Sequence, residues 1–112
     1  MISKDKALSM LGLCARAAKL TSGEFSTEKA VKDGKAYLVI VADDASDNTK
    51  KKFKDMCSFY EVPIVMYGDK DSLGHYIGKE FRASVAVTDS GFAESIMSAI
   101  QRSKDTEVVK DE

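Results

Sequence analysis

The residues best able to do chemistry lie close together, from Ser22 to Ser46. Ser22 and Gly23 form a capping pair ahead of a short helical segment, and Lys29, Lys32 and Lys35 follow within it and at its exit. A serine hydroxyl accepts a hydrogen bond from the free amides of a first helical turn. A helix start also favours anions, phosphate included. Farther on, Asp43, Asp44 and Ser46 leave the apolar run Tyr37–Ala42. Ligands of open α/β sheets usually sit at such strand exits. The adjacent carboxylates suit Mg²⁺ or a ribose, or a solvated loop that caps the next helix. No third acidic ligand or phosphate loop accompanies them, which favours the loop.

Catalysis finds little support in the remaining residues. His75 is the single histidine and has no serine or cysteine motif beside it, so a nucleophile–base pair is missing. The G-x-S-x-G elbow, the P-loop and G-x-G-x-x-G are absent. Cys14 and Cys57 make no C-x-x-C pair and fall in amphipathic helical patterns, which reads as two buried free thiols in a reducing cytoplasm. No catalytic residue, metal site or cofactor is expected.

The elements that must position these residues follow from periodicity. A first helix is expected over Lys4–Lys19 with Ser3 as cap, its stripe Leu8, Leu11, Ala15 and Ala18 widened by Met10, Leu13, Cys14 and Ala17. Leu20 and Thr21 suggest a very short strand. The second helix runs from about Glu24 to Lys32, and Gly34 suits the left-handed residue that stops it. Tyr37–Ala42 reads as a strand covered on both faces, as in a mostly parallel sheet. Asp47 or Asn48 would cap a third helix to about Tyr60, with Phe53, Met56, Cys57 and Tyr60 as its buried stripe. Strands Val62–Tyr67 and Ala83–Thr88 flank a short helix capped by Asp71, and Asp89 or Ser90 opens the last helix. The alternation implies a three-layer α/β/α sandwich around a small mixed sheet of about four strands.

Composition sets the outer limits. The length fits one domain, expected over 1–103, with a flexible charged tail over 104–112. No apolar run approaches the roughly 20 residues a membrane span needs, and the charged N-terminus does not read as a signal peptide, so a cytoplasmic protein without membrane contact is expected. Net charge is −1 over 112 residues, but +1 once the last nine are set aside. A polyanion would have to be held by a local patch. Lys50–Lys54 reads as a solvated helix face. The lysines near the second helix, its free amides and the polar strand exit could hold a bent nucleic-acid backbone.

At this point a resemblance enters. SGEFSTEKAVKDGKAYLVIVADDASDNTKKKF, the following C-x-x-Y-x-V-P and DSLGHYIGKE resemble the ribosomal L-seven-Ae/L-thirty-e superfamily, and within it the bacterial YlxQ-like branch, over roughly Ser3–Ala99. The resemblance implies the same sandwich, no enzymatic activity, and binding to kink-turn or related structured RNA in ribosomal or translation-associated particles. The family's RNA-contacting helix begins Gly-x-Asn-Glu-x-x-Lys. Gly23 and Lys29 match it, with Glu24 between, while Phe25 and Ser26 stand where the family carries the Asn and Glu that meet sheared G·A pairs. The resemblance carries a second contact loop onto Tyr67, Gly68, Asp69 and Lys70, and a strand-exit contact onto Asp44 and Ser46. Tyr67 could stack on a base or end its strand as a packed residue.

Two functions are therefore expected in competition. The first is a non-enzymatic RNA-binding, ribosomal-protein-like chain using Gly23, Glu24, Phe25, Ser26, Lys29, Lys32, Asp44, Ser46, Tyr67, Gly68 and Lys70, with structured RNA and ribosome-associated proteins as partners. The second is a protein-interaction module on the same fold with kink-turn specificity lost.

Overall fold

A computed structural model describes residues 5–111, with side chains described over 5–103. Ser3 and Lys4, expected as the first cap and first helical residue, lie outside the described residues, as do the side chains of the expected tail. The elements are α1 (Lys6–Arg16), β1 (Leu20–Ser22), α2 (Glu24–Lys32), β2 (Leu38–Val41), α3 (Asp47–Tyr60), β3 (Ile64–Met66), α4 (Lys70–Tyr76), β4 (Ser84–Val87) and α5 (Ser90–Asp111).

The four strands form one mixed sheet in the order β1-β4-β2-β3. β4 is antiparallel to both neighbours, pairing Thr21↔Ala86 and Val39↔Ala86, while β2 and β3 are parallel with Val39↔Ile64. The sheet is thus not mostly parallel. β2 is buried on both faces because it is central and covered by helices on each side. On one face lie α1, α4 and α5, and on the other α2 and α3. Phe53 of α3, Leu11 of α1, Leu73 of α4, and Ile96 and Ile100 of α5 are fully buried against this sheet. Ser84 and Thr27 are buried polar residues that satisfy each other, the Ser84 hydroxyl donating to Thr27 Oγ1 at 3.3 Å.

Several expected boundaries move for identifiable reasons. α1 is shorter than expected. It is capped by Asp5, whose Oδ1 accepts from Leu8 N at 2.9 Å, and it ends at Arg16, because Ala18 turns left-handed at φ 60° and Lys19 N donates to the Cys14 carbonyl. Only Ala7, Leu8, Leu11, Gly12 and Cys14 are buried on α1, so the widened apolar stripe is partly wet. α3 is capped by Ser46, not Asp47 or Asn48, and α4 by Asp69, not Asp71. Tyr60, the last residue of α3, is exposed and not part of the buried stripe. Tyr37 is exposed and precedes β2. Gly34, at φ 74°, terminates α2 as expected. Cys14 and Cys57 are buried free thiols, and burial pushes each up to about 11.

Two glycines set how closely helices approach. A Cβ on Gly12 would lie 2.8 Å from the Tyr76 carbonyl oxygen, and one on Gly74 would overlap the Glu80 carbonyl. The turn after α4 is therefore packed on α4's own backbone, which fixes the path into Arg82 and β4. Gly74→Ala sets two effects against each other. Alanine gains about 1 kcal/mol of helix propensity, while overpacking costs about 1–3 kcal/mol. Here the clash is with backbone, so we expect a net loss of about 2 kcal/mol in denaturant unfolding. A variant as stable as the parent would mean that the turn can shift freely.

Candidate functional site

Four loops meet at one edge of the sheet, where β1, β2 and β3 end and β4 begins. Backbone hydrogen bonds join them in sequence. Gly23 N donates to the Ser84 carbonyl at 2.9 Å, Ala42 N to that of Ala83 at 2.8 Å, Asp43 N to that of Gly68 at 2.8 Å, and Arg82 N to that of Lys70 at 3.1 Å. Lys70 N in turn donates to Asp44 Oδ1 at 2.9 Å. α2, α3 and α4 all begin at this edge, so their positive helix ends share one region.

The helix starts differ in how their amides are satisfied. Ser46 Oγ accepts from Thr49 N at 3.1 Å, Asp69 Oδ1 accepts from Ser72 N at 2.7 Å within a reciprocal capping box, and Asp89 Oδ2 accepts from Phe92 N at 2.9 Å. Asp5 caps α1. Among the described helices, α2 alone begins without a side-chain cap. Its N-cap is Gly23, at φ 95°. Ser22, expected to cap it, lies in β1, and its hydroxyl accepts instead from Arg82 Nε at 3.1 Å. The first-turn amides of α2 stay open, and Gly23 leaves space over them, because a Cβ there would meet nothing within 4 Å.

Charge around this start is balanced by ion pairs. Lys29 pairs with Asp33 at 2.9 Å and Lys32 with Glu28 at 2.7 Å. Lys52 reaches across from α3 to Glu24 at 2.7 Å and Glu28 at 2.9 Å. The bonds from Lys32 and then Lys52 pull the Glu28 carboxyl down to about 2; Glu28 in turn holds Lys32 above its ordinary range, and Glu24 and then Glu28 do the same for Lys52. The Lys29 bond likewise lowers Asp33. With the Lys29 and Asp33 side chains 64% and 41% exposed, such pairs are screened by solvent and contribute little. An incoming polyanion can displace them.

The expected site residues fall into three groups. Gly23, Glu24, Phe25, Ser26 and Lys29 cluster at the open helix start, with Phe25 78% exposed. Asp44, Ser46, Gly68 and Lys70 join them at the same edge, though Asp44 and Ser46 are engaged as a loop tie and a cap. Lys32 lies roughly 12 Å farther along α2, and Lys35 lies past its far end. Tyr67 stands apart, because its hydroxyl donates to Asp5 Oδ2 at 2.7 Å on the α1 side of the sheet. Arg82 and Lys52 were not expected here. Nothing in the local pattern KEFRAS marks Arg82, which the β1–β4 pairing brings to Ser22. Lys52 is hidden within the run Lys50–Lys54. His75 lies on α4, edge-on to Tyr76 with ring centres 5.6 Å apart. No group of three metal-ligating side chains occurs among the described residues, and no described helix is long and apolar enough to cross a membrane.

Residues 5–97 match the ribosomal protein L7Ae/L30e/S12e/Gadd45 family. The chain is 45% identical over 91 residues to "RNA-binding protein YlxQ" of Bacillus subtilis, covering 81% of this chain and 91% of that one. It is 30% identical over 105 residues to "Large ribosomal subunit protein eL8" of Thermoplasma volcanium, covering 89% and 87%. A solved structure of a protein of unknown function from Bacillus halodurans superposes with a TM-score of 0.84 at 42% identity, covering 88% of this chain and 99% of that one.

The tie between loops yields a direct test. Asp44→Ala removes the acceptor for Lys70 N, and we expect a stability loss of about 1 kcal/mol. Hydrogen exchange at the Lys70 amide should quicken. Unchanged exchange there would show that the loops stay joined without Asp44.

Proposed function

The chain belongs to the ribosomal protein L7Ae/L30e/S12e/Gadd45 family, and on that premise we propose that it is a non-enzymatic RNA-binding protein of the cytoplasm, acting in a ribosomal or translation setting. Its target is a structured RNA of the kink-turn type. The observation that carries this reading is the uncapped start of α2, open at Gly23 and flanked by Lys29, Lys52 and the Ser22–Arg82 pair. Backbone amides and the helix dipole favour a phosphate there. Lys29 and Lys52 leave their weak surface pairs to meet the neighbouring phosphates, and the bent backbone is recognised by shape. Phosphate contact then supplies most of the affinity.

The competing function, a protein-interaction module, draws on a different observation. Glu24, Glu28 and Asp33 match Lys29, Lys32 and Lys52 charge for charge, which weakens the attraction of these lysines at long range. Titration separates the two functions. The chain is titrated at two salt concentrations with a kink-turn RNA, a straight duplex and bulk ribosomal RNA. We expect salt-sensitive binding with preference for the kink-turn. Absence of binding at low salt would favour the protein-interaction module.

Two variants refine the test. Lys29→Ala should weaken binding to every RNA and lower the slope of log affinity against log salt by about 1. An unchanged slope would remove Lys29 from the interface. Glu28→Gln frees Lys32 and Lys52 of a competing carboxylate. A carboxylate beside the incoming phosphates is then gone, so affinity should rise. A fall in affinity would mean that the pairs organise the site and do not compete with RNA.

A further inference from the structure

We propose that Phe25 is a stacking platform for an unpaired nucleobase, so that this chain reads an extruded base where its family reads a sheared pair by hydrogen bonding. The inference rests on the RNA-binding reading above and adds the kind of contact that decides specificity. Phe25 is the second residue of α2, in its uncapped first turn. Its ring is 78% exposed, and among the described residues it has no aromatic or cationic partner. A phenyl ring neither donates nor accepts hydrogen bonds. It therefore cannot take over a base contact made by an asparagine, but it can stack on any base, because every base presents a π-face.

Two further features favour a nucleotide over a general apolar contact. Phe25, Glu28, Lys29, Lys32 and Asp33 line one shallow cleft along α2. Phe25 and Lys29 are four residues apart, about 5–6 Å between Cβ atoms, so a ring for a base and a cation for a phosphate lie within reach of one nucleotide. Second, the surroundings are charged. The lysines near Phe25 are held only by exposed ion pairs, which suits a polyanion better than an apolar protein face.

The experiment uses kink-turn RNA with 2-aminopurine at each unpaired position of the bulge in turn, titrated with the full chain at low salt. Stacking quenches 2-aminopurine, and we expect quenching at one bulge position. Phe25→Ala should abolish that quenching and weaken binding about tenfold, within the range for one base–aromatic stack, with the salt slope unchanged. Phe25→Trp should preserve both signals. Phe59 is 79% exposed at the far end of α3, so Phe59→Ala controls for the loss of any exposed ring and should change nothing. If Phe25→Ala binds and quenches like the parent while Lys29→Ala still lowers the salt slope, the stacking role is wrong and the phosphate reading stands. If the parent chain binds no RNA at low salt, both fall.

Discussion

The arrangement depends on one side-chain hydrogen bond, from Arg82 Nε to Ser22 Oγ at 3.1 Å. It engages the Ser22 hydroxyl within β1, and no side chain caps α2. Glycine follows, in a left-handed conformation that brings the chain into the helix without a side chain over the amides. The other helices satisfy their first turns with Asp5, Ser46, Asp69 or Asp89. In α2 that capacity is left open. Arg82 can reach Ser22 only because β4 lies between β1 and β2 and enters the sheet directly beside the end of β1. The open site is thus a consequence of strand order.

Electrostatics then decide how strongly the site attracts. A strongly basic surface would draw RNA from a distance, but here Lys29, Lys32 and Lys52 each already have a carboxylate partner. Because these pairs are exposed and weak, they cost little to exchange. They do weaken the long-range field. Binding at such a site depends on close fit, which puts weight on the helix amides, on the path of the RNA backbone and on the ring of Phe25.

Much of the fold was legible in the residues. The β-branched run Leu38–Val41 marked a doubly covered strand, and Gly34 marked the end of α2. The caps were less legible, because serine and aspartate occur in clusters here. Asp43–Asn48 and Asp69–Ser72 each offer several candidates, and only the backbone direction selects Ser46 and Asp69. Gly23 and Lys29 could be read from the local pattern, whereas Glu24, Phe25 and Ser26 were marked by the family resemblance. Tyr67 could not be placed that way, since its partner Asp5 is 62 residues distant. Arg82 was invisible for the same reason, its partner lying 60 residues away. Such contacts are made by tertiary structure and leave no local pattern.

The most direct test of the open helix start is amide chemical-shift mapping of the full chain during titration with a kink-turn RNA at low salt. The account predicts that Glu24, Phe25 and Ser26 shift first and furthest, followed by Lys29 and the loop at Gly68–Lys70, while the opposite edge around Gly34 and Tyr60 stays still. Largest shifts at that opposite edge, with Glu24–Ser26 unmoved, would contradict it.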